Sequence, residues 1–184
     1  MIPFPNRKYR VIYADPPWRF SSKELGKSKG ERFHPLEKHY RTQTKDWIQA
    51  LPVQDITETD AALFLWAPDA FIPTALDVMT SWGFKYVTVA FVWEKVSVRG
   101  KTIHNLGAWT MKNYEMCLLA TRGQMLRYKK VNNIPQKTIA VRTKHSKKPA
   151  EVRKKIESLF GHVPRLELFA RERHVGWDAW GNEV

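Results

Sequence analysis

Residues 9–18 constrain this chain more than any other stretch. The apolar run Val11-Ile12-Tyr13 reads as a strand, and Ala14-Asp15-Pro16-Pro17-Trp18 stops it abruptly. Proline lacks the N–H a sheet ladder needs and fixes φ, and each residue before a proline is pushed to extended geometry. The result is a rigid strand tip with a carboxylate at its root and an indole at its end. Such a tip suits a flat ring bearing an exocyclic amine. The amine of adenine is a poor nucleophile because its lone pair is delocalised. The Asp15 carboxylate and the Pro16 carbonyl could each accept one of its two N–H hydrogens and turn that lone pair toward an electrophile. Pro17 would keep the tip stiff, and Trp18 would offer a stacking face of the kind worth ~1–3 kcal/mol per base.

The rest of the chain alternates strands with helices. Residues 9–14 form the first strand. Thr44 caps a short helix through Trp47 and Ile48 that Pro52 ends. The continuous apolar run 61–66 is expected as a central strand covered on both faces. A helix follows from Asp69 to Gly83, then strands over 85–93, 115–120 and 139–141. Pro149 opens a helix that Gly161 closes, and 165–170 is the last strand. Residues 176–182 read as a compact turn. This order predicts an α/β fold with a largely parallel sheet, in one domain spanning residues 1–184. Residues 19–43 and 98–113 show no hydrophobic period and are expected as mobile basic loops. The first would form a flap beside the strand tip, with His39 and Tyr40 presenting an aromatic edge to the site.

Charge narrows the partner. The chain carries 31 Lys+Arg against 18 Asp+Glu, a net +13, which is the footprint of a protein that meets polyanions. Cations cluster at 23–32, at 127–130, and over 142–155, where seven Lys/Arg face one acid, Glu151. These patches are expected to track a nucleic-acid backbone. No basic amphipathic helix marks a membrane-binding surface. The single cysteine, Cys117, excludes an intrachain disulfide and a thiolate zinc site, and no metal is expected. No signal peptide or membrane-length apolar run is visible, so the protein reads as cytoplasmic.

The ordered set of blocks adds a resemblance. The Asp15-Pro16-Pro17-Trp18 tip, 63–66, Trp109 with Glu115-x-Cys117-Leu118, Arg122-Gly123, His145-Ser146-Lys147-Lys148-Pro149, and 167–171 with Gly176-Trp177 and Gly181-Asn182 occur in this sequence order. Together they resemble the adenine-amine methyltransferases that include the catalytic subunit of the messenger-RNA adenosine methyltransferase. The brevity is similar to the small bacterial or phage branch of that family, where DNA is the more usual substrate. The resemblance implies a Rossmann-like class I methyltransferase sheet in permuted order, with the catalytic strand first and the cofactor strand late. It implies S-adenosyl-L-methionine as cofactor, held by Asp15, Lys148, Arg171, His174, Asn182 and Glu183. Trp109, Glu115, His145 and Ser146 would lie on the substrate side. Two features depart from the pattern. Only ten residues precede Val11, where relatives carry a cofactor-contacting segment, and Met111-Lys112 displace Asn113 from its usual place after Trp109.

The reading that follows is methyl transfer from S-adenosylmethionine to the exocyclic amine of adenine in DNA. The alternatives are the same reaction on RNA and a non-catalytic nucleic-acid-binding partner subunit. Pairing with a second copy of the fold, as a homodimer or heterodimer, is expected from the incomplete cofactor side.

Overall fold

The computed structural model describes residues 2–19, 42–107, 109–143 and 147–184. Seven strands form one sheet: β1 (Tyr9–Ala14), β2 (Thr57–Ala67), β3 (Lys85–Val96), β4 (Tyr114–Arg122), β5 (Lys137–Val141), β6 (Arg165–Leu168) and β7 (Asp178–Trp180). Their spatial order is β5-β3-β4-β2-β1-β6-β7. β1 pairs in parallel with both β2 and β6, and β7 in parallel with β6. β4 alone runs against its neighbours β2 and β3. The expected α/β architecture with a largely parallel sheet is therefore present, with β1 near its centre.

Alternation along the central strands sends side chains to two cores. Ile12, Ala14, Leu63, Leu65 and Leu168 face α1 (Lys45–Gln49) and α2 (Ile72–Ser81). Val11, Tyr13, Phe64, Trp66 and Phe91 face α3 (Ala150–Phe160), which contributes Val152, Ile156 and Phe160. A strand buried on both faces must be apolar at every position, which is why 61–67 reads as an unbroken run. The buried indoles each find an acceptor: Trp82 donates to the Ile48 carbonyl at 2.9 Å and Trp93 to that of Ala140 at 3.0 Å. Thr44 caps α1 by accepting from the Trp47 N–H, and Gly161, at φ 64°, ends α3.

Three sequence expectations need correction. The turn expected at 176–182 contains β7, whose three residues are too few to show a period. Residues 98–113 are less irregular than expected: Val96 bridges Thr102, and Asn105 bridges Lys112. The cationic run 142–155 does not form a uniformly outward patch. Arg153 and Lys155 are buried, the first against Glu167 and the second donating to Thr138 and the Lys137 carbonyl. Residues 20–41, including the flap with His39 and Tyr40, and residues 144–146, with His145 and Ser146, lie outside the described residues. Among the described residues no helix is long and apolar enough to cross a membrane.

Candidate active site

In an open parallel sheet, ligands bind beyond the carboxyl ends of the strands. Here β1 and β6 end side by side. Asp15 follows β1, and Phe169-Ala170-Arg171 follow β6. After Asp15 the chain turns sharply, the Trp18 N–H donating to the Pro16 carbonyl at 2.8 Å and the Gln43 N–H to that of Pro17 at 2.8 Å. This turn carries Trp18 inward. Its indole is 4% exposed, lies 5.6 Å from the Phe71 ring and donates to the Trp66 carbonyl at 3.0 Å. The stacking role expected of Trp18 is thus replaced by anchoring: the indole pins the tip to the core, and its faces are occupied.

Asp15 heads a chain of alternating charges. Lys148 Nζ is 2.9 Å from Asp15 Oδ2 and 3.1 Å from Glu115 Oε2, and Lys95 pairs with the other Glu115 oxygen. Lys148 also sits 5.5 Å from the centre of the Trp66 ring. Burial lifts the Asp15 carboxyl above its ordinary value, and Lys148 only partly offsets this. Burial also acts to raise Glu115, but Lys148 and Lys95 outweigh it and hold the group below the usual carboxylate range. The Lys148 ammonium, despite its own desolvation, is stabilised by both carboxylates. Cys117 lies behind this chain as a fully buried thiol.

Two cavities of about 340 and 330 Å³ open at the strand tips. Both are lined by Asp15, Phe169, Arg171 and Glu183, and the Arg171–Glu183 pair stands 3.8 Å apart where they meet. The first continues past Lys148, Arg153, Glu167 and His174, the second past Trp47, Trp180 and Asn182. In the first, Arg153 Nη1 reaches both Glu167 oxygens at 3.2 Å. Glu172 lies beside Lys147 at 2.5 Å and His174 at 3.0 Å. Burial raises Glu167 to about 7 against the pull of Arg153, and burial beside Arg153 lowers His174.

Two backbone features shape the cavities. Phe169, lining both, has φ +62°, a left-handed conformation that costs a non-glycine residue of order 1–3 kcal/mol and collects at functional sites. Gly181 lets the final segment lie against the β6 tip: a Cβ there would stand 2.2 Å from the Ala170 carbonyl oxygen. That approach is what brings Asn182 and Glu183 to the site.

The structure thus gathers Asp15, Lys148, Arg171, His174, Asn182 and Glu183 around these cavities, with Glu115 joined through Lys148. Trp109 lines neither cavity and is 97% exposed on the 105–112 hairpin. Sequence reasoning missed Arg153, Glu167 and Lys95. The available signal was Glu167 itself, an acid in the short strand β6 between two buried leucines, Leu166 and Leu168.

Comparison with known proteins fits this geometry. The MT-A70 family model matches residues 9–183. The chain belongs to the MT-A70 family. The resemblance read from its sequence is borne out, and so is the Rossmann-like sheet that it implied. Among MT-A70 relatives, the type II methyltransferase M.MunI of a Mycoplasma species is 36% identical, over 98% of this chain and 79% of its own length. The human N(6)-adenosine-methyltransferase catalytic subunit METTL3 is 26% identical over 96% of this chain. A probable N(6)-adenosine-methyltransferase of rice is 29% identical over 96%. The chain spans only about a quarter of the two eukaryotic proteins, 28% and 23%.

Proposed function

We propose that this protein is an S-adenosylmethionine-dependent DNA methyltransferase that acts on the exocyclic amine of adenine. The observation that carries the reading is the Asp15 carboxylate, held by Lys148 at the mouth shared by two cavities. The family supports methyl transfer, and the similarity to M.MunI, a type II methyltransferase, is the reason for preferring DNA to RNA as the substrate.

The residues present fit the cofactor. Arg153 Nη2 is buried on the first cavity with no hydrogen-bond partner among the described residues, a donor suited to a ligand carboxylate. Lys148 adds a second cation there, while Asp15 and Glu167 offer acceptors to an ammonium. Arg171 with Glu183 suits a ribose diol, and Trp47, Phe169 and Asn182 suit a purine in the second cavity. When bound, the cofactor supplies an electrophilic methyl group; the protein supplies position and a dry site. Asp15 and the Pro16 carbonyl accept the two amine hydrogens of adenine and orient its lone pair. Pro17 fixes the strand tip. Lys148 favours the ionised, accepting form of the buried Asp15 against the pull of burial, and Glu115 with Lys95 holds Lys148 in place. A paired adenine cannot reach this tip, so the target is single-stranded or turned out of the duplex.

The same reading makes residues 1–184 one methyltransferase domain, acting in the cytoplasm beside its nucleic acid. It is tested by following labelled methyl transfer from S-adenosylmethionine to matched DNA and RNA oligonucleotides with adenine-free controls. Label in adenine-containing DNA, absent with Asp15→Ala, is the expected result. Equal turnover by that variant would overturn it.

A further inference from the structure

The 105–112 hairpin is left without a role by the site described above. Asn105 and Lys112 exchange backbone hydrogen bonds at 2.7 and 2.8 Å, and the tip between them projects Leu106, Trp109 and Met111, which are 89%, 97% and 55% exposed. Exposed apolar side chains gathered on one short projection mark an interaction site. A Cβ on Gly107 would meet the Thr110 carbonyl oxygen at 2.4 Å, so the turn closes as it does only with glycine. Lys112 Nζ ties it to Asp69 at 2.8 Å, and Arg142 ties Asn105 Oδ1 at 3.1 Å.

Its position relates it to Asp15. Asp69 stands just past the carboxyl end of β2, the edge of the sheet where β1 ends in Asp15. The root of the hairpin is equally close to the chemistry. The Asn113 carbonyl accepts from the Lys95 N–H at 2.9 Å, and Glu115, two residues on, lies 3.1 Å from the Lys148 that holds Asp15. The surroundings are basic: from 95 to 114 there is no acidic residue, and Arg99, Lys101 and His104 are exposed. An apolar tip in a cationic setting is complementary to a stacked, anionic partner. A duplex offers both, since apolar side chains wedge between base steps while cations meet the phosphates.

We propose that the hairpin is a duplex wedge: Leu106 and Trp109 enter the base stack and occupy the place of the adenine turned into the Asp15 site. This rests on the nucleic-acid reading above and adds the substrate form, a double strand opened by the protein itself. Trp109 supplies a stacking face, which Trp18, packed in the core, does not.

The test is binding rather than turnover. Wild-type protein is titrated by fluorescence anisotropy with an intact duplex and with the same duplex carrying one abasic site, which removes the cost of making room. Wild type should bind the abasic duplex at least about tenfold more tightly, because the unstacking and unpairing of a base is the cost that the abasic site spares. Leu106→Ala/Trp109→Ala should bind both forms alike, and Trp109→Phe, which keeps a ring, should retain the preference. Absence of the preference in wild type, or its persistence in the double variant, overturns the wedge. Sedimentation of wild type as a dimer and of the double variant as a monomer would also overturn it, by assigning the tip to a second copy. Failure of methyl transfer with the preference intact would strike the proposed activity and leave the wedge standing.

Discussion

Lys148 places one ammonium between two carboxylates, 2.9 Å from Asp15 and 3.1 Å from Glu115. The arrangement explains how a buried aspartate can serve as an acceptor although burial raises its pKa. Lys148→Met leaves two carboxylates without their shared cation. Breaking a buried ion pair from one side costs about 3–5 kcal/mol. We expect a loss of stability on that scale in urea titrations and residual methyl transfer at least 100-fold slower. The acid limb of the pH–rate profile should move to higher pH, because Asp15 loses the charge that favours its ionised form. An unmoved limb would remove Lys148 from the account.

Trp18 anchors the strand tip through its packing and its bond to the Trp66 carbonyl. Trp18→Ala should cost about 3–5 kcal/mol, in the range of large aromatic deletions. Trp18→Phe keeps a ring and loses the N–H donor. It should lower the melting temperature while leaving substrate KM near that of wild type. A large rise in KM with unchanged stability would restore Trp18 as a platform for the base.

Glu167 gives the fold a pH dependence of definite sign. Its carboxyl is raised from 4.5 to about 7 by burial, with Arg153 opposing. An acid whose folded pKa lies above its unfolded one favours folding most below the unfolded value, and this advantage is lost as pH rises through the window from 4.5 to about 7. Glu167→Gln, which still accepts from Arg153 but does not titrate, should flatten that part of the curve by about 3 kcal/mol between pH 4 and pH 8. Chemical unfolding of both proteins across the range decides it. Parallel curves would mean that Glu167 titrates alike in the folded and unfolded chain.

Gly181 sets how closely the last segment approaches the β6 tip. Gly181→Ala should displace Asn182 and Glu183 and weaken S-adenosylmethionine binding at least tenfold, measured by calorimetry. Stability should fall less than for a core deletion, since the displaced residues are partly exposed. Unchanged affinity would place the purine elsewhere.

Much of this was legible in the chain itself, for local reasons. The apolar runs at 11–13 and 61–66 can only be two-sided strands, and Pro16-Pro17 can only end one. Thr44, Pro149 and Gly161 mark helix boundaries by chemistry that acts within a turn. The direction of Trp18 was not legible, because a three-residue turn between Pro16 and Trp18 decides whether the indole points to substrate or to the core. The Arg153–Glu167 and Lys148–Glu115–Lys95 contacts were hidden for a different reason. They depend on the register of strands far apart in sequence, and a positive run such as 142–155 gives no sign of which cations fold inward. β7 was too short to carry a pattern, so its strand character comes from pairing with β6 alone.

The central place of β1 has a consequence for synthesis. Of the seven strands this one is synthesised before the other six, yet one of its two hydrogen-bonding neighbours, β6, is made from residues 165–168. Until then one edge of the apolar strand Val11-Ile12-Tyr13 has no partner, and an open edge of that kind is a template for pairing with other chains. Asp15 therefore leaves the ribosome early but gains its surroundings late, when Lys148, Arg171 and Glu183 have followed. A nascent chain that stalls between β5 and β6 has the Asp15 carboxylate without the site around it, together with an exposed strand edge for chaperones or proteases to find.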